Sequence, residues 1–383
     1  MRRSDGRVLT THTGSLIRPP ALAVPSGCAP PSAAESALAL REAVDAIVRK
    51  QLQIGLDVVN DGEFGKVGWA TYILERLGGI EVRKDQLRPL LWLGRDRERF
   101  AEFFAAEMPL AVTGMPAEVC TGPIAYKDDG ALRRDIDNLL AATANARPLE
   151  AFMTVVAPAS TAYNGVNEYY GSERDYVFAI AAALREEYLA VHRAGLVLQV
   201  DDAVLANMYD ALVQQSPQRY REWAELRIDA LNYALRDIPQ DRIRYHVCFG
   251  SWHVPHVADA PLEAIVDLVL RVNAGAYSLE AANPRHEHEW RVWRTVRLPP
   301  SKILLPGVVT HHTTTVEHPR VIADRIVRFA ELVGRENVIA STDCGFAQSR
   351  HTPRVHPSIM WAKLEALVEG ARLASRELFG ASA

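Results

Sequence analysis

Short apolar, β-branched runs recur near residues 8–12, 56–60, 152–156, 196–200, 243–247, 275–279, 302–306 and 337–342. Between them, apolar residues fall at the helical period over 34–54, 132–144, 174–194, 218–236, 262–272, 287–297, 319–332 and 358–378. Parallel neighbours need long crossovers, so strands alternating with helices imply a parallel sheet. Eight such units suit closure into a single (β/α)8 TIM barrel, an α/β fold spanning residues 1–383. Residues 64–130 break the rhythm with Leu-rich, Phe-rich and Gly-Pro-rich pieces and read as a long insertion after the second strand. Loops that follow barrel strands build the mouth. Trp69, Tyr72 and a helix carrying Phe103 and Phe104 are therefore candidates to wall a site from solvent; the plainer reading has them anchoring the insertion on the rim. Residues 17–33, with five prolines and a Ser-Gly pair, predict a surface loop.

Composition narrows the functional classes. The 383 residues are 48% hydrophobic, enough for a large core, and barrels of this size form one unit. A net charge of −4 provides no field for phosphate backbones or anionic lipid, so neither nucleic acid nor membrane is an expected partner. The N-terminus lacks a secretory apolar stretch and no run of 18 uncharged apolar residues follows. With 4 cysteines, the expectation is a soluble cytoplasmic protein without structural disulfides, with a homo-oligomer left open.

The chemistry is concentrated where apolar runs end. Arg242–Phe249 reads as a buried strand, and its period of two places His246 and Cys248 on one face. Ala276–Glu280 and Asn337–Cys344 are further apolar runs that break into polar residues at Glu280 and Cys344. His246, Cys248, Cys344 and Glu280 are the candidate metal ligands. Neither a Cys-x-x-Cys pair nor His-Glu-x-x-His is present, and the residues alone equally describe two core cysteines and a satisfied buried histidine.

The motif set resembles the catalytic domain of cobalamin-independent methionine synthases. His246-Val-Cys248, Glu280 and Asp343-Cys344-Gly345 stand where that family holds zinc with His-x-Cys, Glu and the Cys of an Asp-Cys-Gly turn. Thr10–Ser15 resembles the end of the family's first strand, Gly55–Glu63 the second, and Gln199–Asp202 the strand whose Asp, here Asp201, grips the amino group of homocysteine. Gly250–His256, Glu280–Trp290 and Gly334–Phe346 resemble the single-domain branch that includes epoxyalkane:coenzyme M transferase. The resemblance implies a (β/α)8 barrel, a Zn²⁺ cofactor, and Glu280 as a resting ligand displaced by an incoming thiol. Two departures from the synthase, Ala-Ala-Asn-Pro after Glu280 where the synthase has Asn-Ser-Arg-Ser and the expected lack of its N-terminal second domain, weaken the case for methionine synthesis with polyglutamyl folate.

A free thiol titrates near 8.5, and binding to Zn²⁺ deprotonates it while leaving sulfur nucleophilic. Two cysteinates already cancel the ion's charge, so alkylation of a bound thiol fits better than hydrolysis. The leading expectation is a zinc-dependent thiol alkyltransferase of the epoxyalkane:coenzyme M transferase type. Its partners would be a small thiol and an alkyl or methyl donor. Epoxide opening would need a proton donor, and the mouth histidines are His12, His253, His256, His311 and His312. A sulfonate-bearing thiol would call on Arg18, Lys66 or Arg350, with Trp252 and His253 in the adjoining loop; an amino thiol would call on Asp201. His286 and His288 are expected to be structural, and Glu280 has the alternative of a salt bridge with Arg285. Three alternatives stand beside the leading one. They are a methyltransferase acting on homocysteine or another thiol, a metal-free decarboxylase or lyase, and a binding partner of a corrinoid protein with structural zinc.

Overall fold

A computed structural model describes residues 1–22, 31–90, 94–109, 113–127 and 129–380. The eight expected strands form one parallel sheet, composed of β1 (Leu9–Thr10), β2 (Val58–Val59), β5 (Glu150–Val156), β7 (Val197–Asp202), β8 (Ile243–Val247), β9 (Ala276–Leu279), β10 (Ile303–Val309) and β11 (Ile339–Thr342), in the order β1-β11-β10-β9-β8-β7-β5-β2. The ends meet through Asp57, whose N–H donates to the Thr10 carbonyl at 3.1 Å while its side chain accepts from Thr10 N–H. Thr11 Oγ1 adds a bond to the Val58 carbonyl. The circle is therefore a (β/α)8 barrel.

Seven of the eight expected helices are α-helical within a few residues, among them Ala33–Ile54, Glu173–Arg193 and Pro357–Phe379. Ser32 and Glu35 form a reciprocal capping box at the first of these. The stretch expected at 287–297 is a 3₁₀ run, Glu287–Arg294. A further helix, Val204–Val213, directly follows β7; its apolar residues lie next to a strand of like composition, which hid the change of period. Within the expected insertion, β3 (Leu77–Arg88) pairs antiparallel with β4 (Met115–Tyr126), and β6 (Gly165–Asn167) adds to β4. That hairpin was masked by Gly78-Gly79 and by the polar run through residue 88. Residues 23–30, within the expected surface loop and including Cys28, lie outside the described residues.

Inside the barrel the side chains depart from the usual filling of branched aliphatics. Outward residues of β7 and β8, Leu198, Val200, Tyr245 and Val247, join the main apolar cluster with the helices. Gln199, Asp201, Arg244 and His246 are also buried, alternating with them at the strand period. Register brings Asp201 beside His246 and His246 beside Ser278. The polar groups thus stack toward the C-terminal end of the strands.

Candidate metal centre

Cys248 lies one residue beyond β8 and Cys344 two beyond β11, so both thiols project at the C-terminal rim. A register shift between Gly307 and Val309 on β10 sets the neighbouring Asp343-Cys344 turn close against it. A Cβ at Gly307 would fall 2.4 Å from the Asp343 Cα, so only glycine permits that approach. The ligand atoms of His246, Cys248 and Cys344 lie within 4.8 Å of one another, and all three residues are buried. The two sulfurs are 3.4 Å apart. A tetrahedral zinc with bonds of about 2.3 Å would space them by about 3.8 Å, a small adjustment. His246 Nδ1 is engaged with Ser278 Oγ at 3.2 Å, which leaves Nε2 buried and without a hydrogen-bond partner. An imidazole fixed through one nitrogen and bare at the other is oriented as a ligand. The residues present fit zinc.

The charges agree with that assignment. Hydrogen bonding from Cys248 holds the Cys344 thiol well below the usual range against the effect of burial, with His246 assisting. Cys248, bonded to that thiolate and buried, is pushed well up. Burial opposes the charge on His246, but the Cys344 thiolate, Asp201 and Glu280 outweigh it and raise its affinity for a proton.

Glu280 is buried beside the centre without joining that compact set. Its Oε1 accepts from Phe249 N–H at 3.2 Å and its Oε2 from Asn283 Nδ2 at 3.0 Å. It makes no salt bridge to Arg285, whose guanidinium donates to the His256 and Val257 carbonyls.

A small cleft opens over the sulfurs, lined by His246, Cys248, Cys344, Asp201, Glu63, Thr13, Ser15 and Trp69 among others. Burial pushes the Asp201 carboxyl up to about 7, with the charge of His246 opposing and that of Glu63 adding to the rise. Glu63 closes the Gly55–Glu63 motif, and sequence alone gives it no role. It sits in a turn where Gly62 and Glu63 have φ of 69° and 61°, a conformation costly for a glutamate and frequent at functional sites. The Asn-Asp-Gly-Glu break at the end of β2 was the signal available. Trp69 faces the cavity and stacks on Tyr163, with ring centroids 6.3 Å apart. Tyr72 instead anchors the chain, donating to Glu187 and accepting from Val156 N–H. Phe103 and Phe104 belong to a satellite apolar cluster with Leu90 and Val254.

The remaining candidates divide by their partners. His12 is fully engaged, through Nε2 with Gln51 and through Nδ1 with Gly14 N–H, and burial lowers it to about 4. Lys66 donates to the carbonyl and hydroxyl of Thr154, both at 2.7 Å. Arg18 donates to the Glu63 and Lys66 carbonyls. Arg350 and His253 are exposed, and the His253 ring lies 5.8 Å from that of His312. Trp252, His256 and Asp259 line a neighbouring cleft. His256 is held by Asp259 and the Trp252 carbonyl. His286 bridges Asp259 and Glu289. His311 is buried beside Glu280 and Asp343. Cys120 is buried on β4, outside the compact set.

Comparison with known proteins follows the same lines. A family model described as the catalytic domain of cobalamin-independent synthase matches residues 158–366. The chain belongs to that family. It is 25% identical over 369 residues to 2-hydroxypropyl-CoM lyase of Xanthobacter autotrophicus, covering 88% of this chain and 86% of the relative. Its identity to a methionine synthase of Thermococcus kodakarensis is 21% over 341 residues, covering 89% and 84%. Among solved structures, a B12-independent methionine synthase from Shewanella superposes with a TM-score of 0.74 at 19% identity, over 97% of this chain and 99% of that one. That likeness establishes the shared fold. Among the described residues no helix is long and apolar enough to cross a membrane.

Proposed function

We propose that the protein is a zinc-dependent transferase that alkylates a small thiol, with an amino thiol as acceptor and a methyl group as the best-supported alkyl group. The observation that carries the choice of acceptor is the lining of the cavity over the sulfurs. Two carboxylates, Asp201 and Glu63, face it, and no lysine or arginine is among the described lining residues. A primary ammonium would meet its counter-charge there, whereas the sulfonate of a coenzyme M-type thiol would meet repulsion. Lys66, one cation expected to bind a sulfonate, donates to Thr154, and Arg18 donates through Nη2 to the Glu63 and Lys66 carbonyls while its Nε and Nη1 have no partner; neither side chain is among the described lining residues. None of the mouth histidines His12, His253, His256, His311 and His312 is among those lining residues, so epoxide opening would have to draw its proton from Asp201, the same group that would bind an ammonium.

Zinc, held by His246, Cys248 and Cys344 with Glu280 adjacent, would supply a thiolate from the acceptor at neutral pH. The chain's own residues do the rest. Asp201, steadied by Gln199 Nε2 at 2.8 Å, and Glu63, steadied by Thr154 Oγ1 at 3.0 Å, hold the ammonium and so fix the sulfur end of a short acceptor over the metal ligands. Trp69, backed by Tyr163, excludes water from one wall. The relative named as a CoM lyase and those named as methionine synthases both support thiol chemistry for this family, and neither name transfers an acceptor to this chain.

The test is cobalt substitution. The wild type should show the near-ultraviolet sulfur-to-cobalt charge-transfer band, altered on adding an amino thiol. Cys344→Ser should lose the band and the thiol-dependent activity with its far-ultraviolet circular dichroism intact, and Cys120→Ser should keep both. A wild type without sulfur ligation, fully active when metal-free, would return the protein to the lyase alternative.

A further inference from the structure

Beside the sulfur-bearing centre lies a second convergence of donors, two of which, His311 and Asp343, thiol activation does not use. Glu280, His311 and Asp343 bring ligand atoms within 4.8 Å of one another, and all three side chains are buried. His311 is 1% exposed, and neither ring nitrogen has a hydrogen-bond partner. Asp343 is fully buried; its Oδ1 accepts from Ala281 and Ala282 N–H at 2.8 and 2.9 Å, which fixes the carboxyl and leaves Oδ2 without a partner. Buried polar atoms are seldom left so, and each carries a desolvation cost of about 1–3 kcal/mol. Two unpartnered groups on different strand ends, an imidazole and a carboxylate that share one space with a second carboxylate, have a common remedy in a cation.

We propose that Glu280, His311 and Asp343 form a second divalent-cation site, which shares the Glu280 carboxylate with the sulfur-bearing centre. One imidazole and two carboxylates make a harder donor set than His-Cys-Cys, suited to zinc, manganese or cobalt(II) rather than to thiophilic copper(I). The two carboxylates balance the charge of a divalent ion. Bonds of about 2.0–2.2 Å place ligand atoms at most about 4.2 Å apart, so the cluster closes on an ion by movements under about 1 Å. The scaffold is firm. Lys363 Nζ donates to Thr310 Oγ1 at 3.0 Å and Glu317 Oε2 at 2.8 Å, and Thr310 N–H donates to Glu317 Oε1, so the segment that presents His311 is clamped on both sides of the ring. A cation there would hold the Glu280 carboxylate away from the first centre and so leave that centre open to a thiol.

The site is tested apart from the thiol-activating centre by metal stoichiometry on the full chain. Holo wild type dialysed against zinc or cobalt(II) should bind two equivalents, and Cys248→Ser/Cys344→Ser should keep one, whose cobalt spectrum has weak d–d bands and no sulfur charge transfer. His311→Ala and Asp343→Asn should each lower the wild-type count from two to one while the sulfur charge-transfer band remains. His311→Gln, which keeps the volume better, guards against simple misfolding. Retention of two equivalents in His311→Gln, or a count of one in wild type with the charge-transfer band present, overturns the second site and leaves the first standing. Loss of that band in wild type with one weakly absorbing ion bound would instead overturn the first.

Discussion

Replacing Asp201 with asparagine isolates the proposed recognition of the acceptor's ammonium group. The change is nearly isosteric, and the oxygen that accepts from Gln199 Nε2 can be kept. Asp201 is 8% exposed, so an ion pair with a bound ammonium would be largely desolvated. Removing one partner of such a buried, hydrogen-bonded charge pair costs about 2–5 kcal/mol. At about 1.4 kcal/mol per decade, this is a loss of roughly 30- to 3,000-fold in kcat/KM for an amino thiol. A thiol of the same length without the amine should lose less than about 3-fold, because its recognition never used the charge. The assay is steady-state alkylation with the matched pair of thiols on zinc-loaded enzyme, with the cobalt charge-transfer band as a check that the metal ligands are undisturbed. The pH dependence sharpens it. Burial raises Asp201 to about 7, so the wild type should gain amino-thiol activity as pH rises through about 7, where the carboxylate forms, and the variant should lack that limb. Equal losses for both thiols, or an unchanged limb, would refute an ammonium site at Asp201 and leave the residue a structural role.

Three further outcomes follow from buried contacts. His286 lies between Asp259 and Glu289, whose hydrogen bonds outweigh burial and raise it to about 10 from 6.5. Because the folded value is the higher, its stabilisation, on the order of 5 kcal/mol, is complete below about pH 6.5 and lost as pH rises through about 10; urea midpoints of metal-free protein should fall over that window and fall much less in His286→Gln, and parallel profiles would count against the pairing. Lys363→Met removes the fully buried partner of the largely buried Glu317 and should cost about 3–5 kcal/mol in urea unfolding, with Glu317→Gln additionally changing the presentation of His311; a loss under about 1 kcal/mol would show the clamp to be dispensable. Gly307→Ala places a methyl against the Asp343 backbone and should weaken metal binding at the Cys344 turn along with a stability loss of about 1–3 kcal/mol, read by competition with a chromophoric chelator, where unchanged affinity would contradict the close approach.

The barrel was legible because the period of the apolar residues changes from two to 3.6 at nearly every boundary, and all eight strands fall on the expected runs. The hairpin of β3 and β4 was not legible: its long strands are half exposed and polar, with a glycine pair at one end, and their stability comes from cross-strand partners distant in sequence. The helix at Val204–Val213 was hidden for the opposite reason, being apolar immediately after an apolar strand.

At the site the same division holds. His246 and Cys248 share a face by strand period alone, and the resemblance through the Asp-Cys-Gly turn marked Cys344, so the sequence by itself determined the barrel's elements and named the candidate sulfur and nitrogen donors that the fold brings together. Tertiary structure decided where charges are spent. Only the folded arrangement assigns Lys66 to Thr154, closes both nitrogens of His12, turns Glu63 into the cavity and leaves His311 and Asp343 buried without partners. A residue's type states which bonds it can make, whereas which of those bonds the fold has already satisfied depends on neighbours brought together from strands far apart in the chain.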